Sequence, residues 1–273
     1  MKSMHLASLA MYVTPQPLAD ATAELWSFLR HYIAQAGLSD LPESLDTTIP
    51  YDEAWLREDL FFSQTCGYPY VKRLRGKVRL VATPVYGDPG CNGPLMRSFI
   101  VVRRASTFAS LQDLRGATAA INSPDSNSGA NLLRAMVAPL ARNGRFFGGI
   151  VRTGSHGGSI DAVSNGQADC AAIDCITFAN LQRFTPARIE GVRILAETPA
   201  TPGLPFITGG EVSDAEVALM REALVAAISA PSLSGVCDIL GLVDVAMLTD
   251  ADYEPVLSLA RGALETGYSD WID

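Results

Sequence analysis

The chain has 273 residues, 48% hydrophobic and 18% charged, enough to bury one large α/β core or two smaller ones sharing a cleft, and too apolar to be disordered or fibrous. A formal charge of −8 and the absence of any Lys/Arg run argue against attachment to nucleic acid or an anionic membrane through clustered positive charge, so a small ligand is expected. The acidity does not exclude an anion, because backbone amides at a helix start carry partial positive charge whatever the net charge.

Leu6–Tyr12, entered from His5, reads as a first strand whose last residue, Tyr12, points over the sheet edge ahead of Thr14 and Pro15. A half-buried aromatic with a wet hydroxyl is the structural alternative for Tyr12. Only Lys2 precedes this strand, and no apolar segment with a cleavage site leads into it. The expected location of the chain as written is therefore the cytoplasm, or the periplasm if the true start lies upstream. No uninterrupted apolar run approaches membrane-spanning length.

A helix follows over about Pro17–Ala36, with Leu18, Ala21, Leu25, Phe28, Leu29, Tyr32 and Ile33 at helical spacing and Gly37 just past its end. Leu60–Ser63, a short helix near Pro69–Arg75 and the strand Val78–Val85 continue the alternation, which predicts mostly parallel sheets with helices on their faces. After the Gly/Pro-rich loop Tyr86–Pro94, a strand at Phe99–Arg103 leads into a second series. That series runs through strand Ala117–Asn122, a helix from near Gly129, strand Ile150–Thr153, a helix near Ile160–Asn165 and strand Ala168–Asp174. Beyond Val192–Ala196 and the proline-rich Glu197–Pro205, helices are expected at Asp214–Ser229, Ser232–Leu240 and Asp250–Glu265. The predicted organisation is a discontinuous first lobe, residues 1–98 plus 198–273, and a second lobe, 99–197, with the ligand cleft between them.

Ligands of open α/β sheets collect beyond the carboxyl ends of the strands, which singles out four strand-to-helix junctions. In Asn122–Gly129, Ser126, Asn127 and Ser128 offer hydroxyls and first-turn amides to an anion, or Ser126 or Ser128 simply caps the helix. In Thr153–Ser159, His156 sits among small residues that let a ligand approach, although a lone loop histidine is commonly just solvated. In Phe62–Pro69, Ser63, Thr65, Cys66 and Tyr68 would face the cleft from the other lobe, or form an ordinary turn around Gly67 and Pro69. Asp174 ends a strand at the cleft or caps the helix through Ile176–Leu181; facing a ligand, it would accept a proton-bearing oxygen or an amine.

The five cysteines, Cys66, Cys91, Cys170, Cys175 and Cys237, lack zinc-site spacing and are expected as reduced, mostly buried thiols. With only His5, His31 and His156, neither a metal site nor a cofactor is expected, and phosphate-loop, zinc-protease and nucleophile-elbow signatures are missing.

Three stretches carry a family resemblance: Ser110–Gly116 with Ala119–Asn122 and Ser126–Gly129; Ser155–Ser159 with Ala162–Asp169; and, more loosely, Leu60–Pro69 with Leu6–Tyr12. Over roughly Leu6 to Leu240 the chain resembles the phosphate/phosphite/phosphonate substrate-binding proteins of ABC transporters. The resemblance implies a two-lobed, type II periplasmic-binding-protein-like α/β fold that closes on a small oxyanion and hands it to an ABC permease, or serves in sensing. It also implies that Ser126, Ser128 and His156 bind the phosphorus oxyanion, that Asp174 approaches it, and that Tyr12 and Tyr68 line the cleft. The alternative is an enzyme on the same fold acting on a small anionic metabolite, with Cys66 as nucleophile or His156 as acid/base.

Overall fold

The computed structural model describes residues 6–268, so His5 and Lys2 lie outside the described residues. In chain order the main elements are β1 (Leu6–Ser8), α1 (Gln16–Gln35), β2 (Leu60–Gln64), β3 (Val78–Tyr86), β4 (Ser98–Arg103), β5 (Thr118–Ile121), α2 (Leu132–Val137) and β6 (Gly149–Arg152). They continue with α3 (His156–Ser164), β7 (Cys170–Asp174), α4 (Cys175–Phe184), β8 (Val192–Glu197), β9 (Phe206–Gly209), α5 (Asp214–Ser229), α6 (Ser234–Leu240), β10 (Leu242–Ala246) and α7 (Glu254–Glu265).

The described chain divides into two compact units. One takes the residues through Gly87, Asn92–Pro94 and Pro202–Tyr253; the other takes Asp88–Cys91, Leu95–Thr201 and the residues from Glu254 on. The first unit is a five-stranded sheet in the order β1-β2-β9-β3-β10. Its core is apolar because α1 presents Leu18, Ala21, Leu25, Leu29 and Ile33 on one face, while α5 turns Val217, Met220 and Leu224 inward. Trp26 stacks on Phe62 at 5.9 Å, and Phe62 on Phe206 at 5.2 Å, so a helix and two strands share one aromatic column.

The second unit is a five-stranded sheet in the order β8-β4-β7-β5-β6. β5 pairs in parallel with both β6 and β7, so the carboxyl ends of all three lie on one edge. β4 runs antiparallel to β7 with Ser98 opposite Asp174, which brings the start of β4 to that same edge. The core below contains Ile100, Val102, Ala119, Ile121, Leu133, Val137 and Ala172.

The fold class is the expected one, with three differences. The sheets are mixed rather than mostly parallel: β9 and β10 pair antiparallel with β3, β9 also with β2, and β8 with β4. The first strand stops at Ser8, and Tyr12 occupies a turn at φ 58°, so it does not end a strand. The last helix was assigned to the first lobe, but α7 belongs to the second unit, because Val256, Ala260 and Ala263 form a buried face and Ala263 joins the core with Leu133 and Val137. No single helix among the described residues is long and apolar enough to cross a membrane.

Candidate functional site

Three helix starts gather on the β5/β6/β7 edge of the second unit. Each follows a parallel strand, and each is capped by its own side chain. Ser126 accepts the Gly129 amide at 3.0 Å, Ser155 accepts the Gly158 amide at 3.0 Å, and Asp174 accepts the Thr177 amide at 2.7 Å. The first-turn amides of a helix have no intrahelical acceptor, so this edge concentrates outward-pointing N–H dipoles. The Ser126 helix opens with a wide turn in which the Asn131 amide reaches back to the Ser126 carbonyl at 3.0 Å.

Side chains from the three junctions meet at His156. Its Nε2 lies 3.0 Å from Ser128 Oγ and 3.1 Å from Asp174 Oδ2. Asp174 is 2% exposed and also accepts from Thr177 Oγ1 at 2.7 Å. A carboxylate only accepts, so this contact places the proton of the neutral ring on Nε2. Ser128 Oγ then has its own O–H left to donate elsewhere. His156 Nδ1 is buried without a hydrogen-bond partner among the described residues, and so is the nearby Asn122 Oδ1.

The trio differs from a Ser–His–Asp triad. In a triad the carboxylate and the hydroxyl use opposite ring nitrogens, so that one orients the ring while the other exchanges a proton. Here both crowd onto Nε2, which suits holding a ring rather than relaying a proton.

Gly129 is compelled by packing. A Cβ there would lie 1.9 Å from Asn122 Oδ1 and 3.1 Å from His156 Cε1. Beneath the loop, Ser98 Oγ donates to the Ser128 carbonyl at 2.9 Å, Asn127 Nδ2 donates to Thr201 Oγ1 at 3.0 Å, and Asn131 Nδ2 donates to Asn127 Oδ1 at 3.0 Å. Asp88 stands close enough to Asp174 for their charges to interact. Burial pushes the Asp88 carboxyl up, Arg183 at 3.6 Å holds it back, and the Asp174 charge adds to the rise.

The structure thus brings together Ser126, Asn127, Ser128, His156 and Asp174. His156 is the first helical residue of α3 and not a loop histidine. Asp174 is a helix cap and a partner of His156, with three donors in contact with its two carboxylate oxygens. Ser98, Thr177 and Thr201 were not anticipated; only Thr177, three residues past a capping aspartate, carried a local signal.

The remaining expected residues belong to the first unit. Thr65 is fully buried at the end of β2, its amide bonded to the Pro205 carbonyl at 3.1 Å. Cys66 is part-buried at the head of the turn Gly67–Pro69. The Tyr68 side chain is buried, with Lys72 Nζ 5.6 Å from its ring centre. Tyr12 packs edge-on against Tyr86 at 5.9 Å and lines a cavity of about 30 Å³ with Leu9, Leu18, Leu25, Gln64 and Phe206. Among the described residues no group of three or more His, Cys, Asp or Glu is placed to hold a metal ion.

An edge built from helix starts, in one of two α/β units between which the chain crosses more than once, is where open α/β folds collect ligands. The family model for the phosphonate periplasmic substrate-binding protein of ABC transporters matches residues 11–253, and the chain belongs to that family. It is a family of substrate-binding proteins, as the resemblance implied. No curated protein matches the chain by sequence.

Among solved structures, PhnD1 of Prochlorococcus marinus in complex with methylphosphonate superposes with a TM-score of 0.78 at 16% identity, covering 97% of this chain and 99% of its own. A binding protein component of an ABC phosphonate transporter from Pseudomonas aeruginosa has a TM-score of 0.76 at 16% identity, covering 95% of this chain and 86% of that one. The aliphatic sulphonate binding protein SsuA of Escherichia coli has a TM-score of 0.60 at 15% identity, covering 92% and 84%. At these identities the likeness shows the shared fold.

Proposed function

We propose that this chain captures a small phosphate- or phosphonate-class oxyanion and delivers it to an ABC permease. The observation that carries this reading is the convergence of Ser128, His156 and Asp174 where three capped helices start. An oxyanion leaving water needs donors that replace its hydration. The Ser128 O–H and the first-turn amides supply them without net positive charge, which suits a chain of charge −8. Asp174 keeps His156 in place and sets a negative charge beside the anion, which favours an oxyanion that retains a proton or carries an ammonium group over a bare dianion.

Thermal denaturation in the presence of phosphate, phosphite, methylphosphonate, 2-aminoethylphosphonate and an alkyl sulfonate tests this reading. A ligand at about 100 times its Kd adds about 2.7 kcal/mol of stability, a rise of roughly 5–10 °C for a chain of this size. At least one phosphorus compound is expected to give that shift. Stabilisation by the sulfonate alone, or by none of the five, overturns the reading.

A further inference from the structure

Two thiols in the second unit face each other outside the anion site. Cys91 Sγ lies 3.5 Å from Cys175 Sγ, in hydrogen-bond contact and unbridged. Cys175 is fully buried as the first residue of α4, its amide bonded to the Arg97 carbonyl at 3.1 Å. Cys91 is part-exposed, its amide closing a turn onto the Asp88 carbonyl at 3.1 Å. Gly90 makes the approach possible: it sits at φ +97°, and a Cβ there would lie 2.6 Å from Cys175 Cβ and 3.2 Å from its Sγ. A disulfide needs its sulfurs at about 2.05 Å, a further approach of roughly 1.5 Å.

We propose that Cys91 and Cys175 form a reversible redox pair, whose disulfide fastens the Asp88–Cys91 turn to the head of α4. The oxidant is a small-molecule disulfide. The Cys91 thiolate attacks one of its sulfurs, forming a mixed disulfide and expelling one thiolate. Cys175 then attacks Cys91 Sγ, forming the internal bond and expelling the second. The two protons lost by the protein thiols pass to the two leaving thiolates, so the small disulfide is reduced by two electrons as the pair is oxidised.

The order follows from position, because only Cys91 is reachable from outside. It also follows from the shared hydrogen bond: donation from Cys175 holds Cys91 below the usual thiol range, while that bond and then burial push Cys175 up. The bond would act next to the anion site, since Asp174, the residue before Cys175, is the cap that holds His156.

Incubation of the full chain with oxidised glutathione, followed by intact mass measurement and peptide mapping, tests the pair. The expected product has lost the thiols of Cys91 and Cys175, carries no glutathione, joins the two peptides that contain them, and reverts with dithiothreitol. Cys175→Ser is expected to stop at a glutathione adduct on Cys91, and Cys91→Ser to leave Cys175 unmodified. Retention of all five thiols in the unsubstituted chain overturns the proposal. So does a lasting adduct on Cys91, or a bridge to Cys66, Cys170 or Cys237. These readings come from the unsubstituted chain, so they stand whether or not the variants fold.

Discussion

At the scale of single residues, the proposed function separates donors that would meet the oxyanion from groups that position them. Ser128 has a hydroxyl proton to give, so Ser128→Ala is expected to raise the Kd for the oxyanion about tenfold, the loss of one charge-assisted hydrogen bond of roughly 1.5 kcal/mol. Isothermal calorimetry reads this directly. Asp174 does two jobs that substitution can divide. Asp174→Ala loses the cap on Thr177 and costs about 1–2 kcal/mol in chemical denaturation, whereas Asp174→Asn keeps the cap and stays within about 0.5 kcal/mol of the parent. Because the asparagine amide also donates, the Nδ1–H form of His156 is expected to grow in the second variant, visible in the ring ¹⁵N shifts. Gly129→Ala drives a methyl into Asn122 Oδ1 and should cost about 1–3 kcal/mol. Asn122→Ala should recover most of that, since this oxygen has no partner among the described residues to lose.

At the scale of elements, a cap away from the site provides the control. Ser213 and Glu216 form a reciprocal box at the start of α5; Ser213→Ala should lower stability by about 1 kcal/mol and leave oxyanion affinity unchanged. The elements most legible in the sequence were those whose pattern is local. α1 announced itself by apolar spacing, β5 and β6 by short apolar runs ahead of Ser/Gly-rich turns, and β7 by an apolar run that ends on a capping aspartate. β9 and β10 were missed for opposite reasons. Phe206–Gly209 has only four residues and owes its pairing to distant β2 and β3, while the alternation of Leu242–Ala246 is broken by a register shift between Leu242 and Asp244. The site followed the same rule. Ser126, Ser128, His156 and Asp174 were readable because a strand-to-helix junction is a local event. Ser98 and Thr201 reach it from the start of an antiparallel strand and from a proline-rich connection, where no spacing marks them. Tyr12 was assigned by extending a strand that in fact stops four residues earlier.

At the scale of the whole molecule, buried acids of high pKa set the alkaline limit. Burial pushes up Tyr253, Tyr70 and Cys170, and the bond from Tyr70 to Asp250 adds to its rise. Each folded-state pKa exceeds the ordinary 10.0 or 9.0, so the native chain holds these protons longer than the unfolded one. Their contribution is complete below those values and is lost above them, by up to about 1.4 kcal/mol per pH unit for each group. The denaturation midpoint is expected to hold from neutrality to about pH 9 and fall beyond it, more gently in Tyr253→Phe. The division of the chain bears on how it is made. The second unit begins before position 100 but receives α7, its final helix, only after Tyr253, and the first unit waits for Pro202–Tyr253. During synthesis, therefore, the first unit lacks part of its sheet until residues 206–246 have been made, and the second lacks a buried helix face until Glu254–Glu265 has been made. A version ending at Tyr253 should emerge with Leu133 and Val137 uncovered, and so as a substrate for proteases and chaperones.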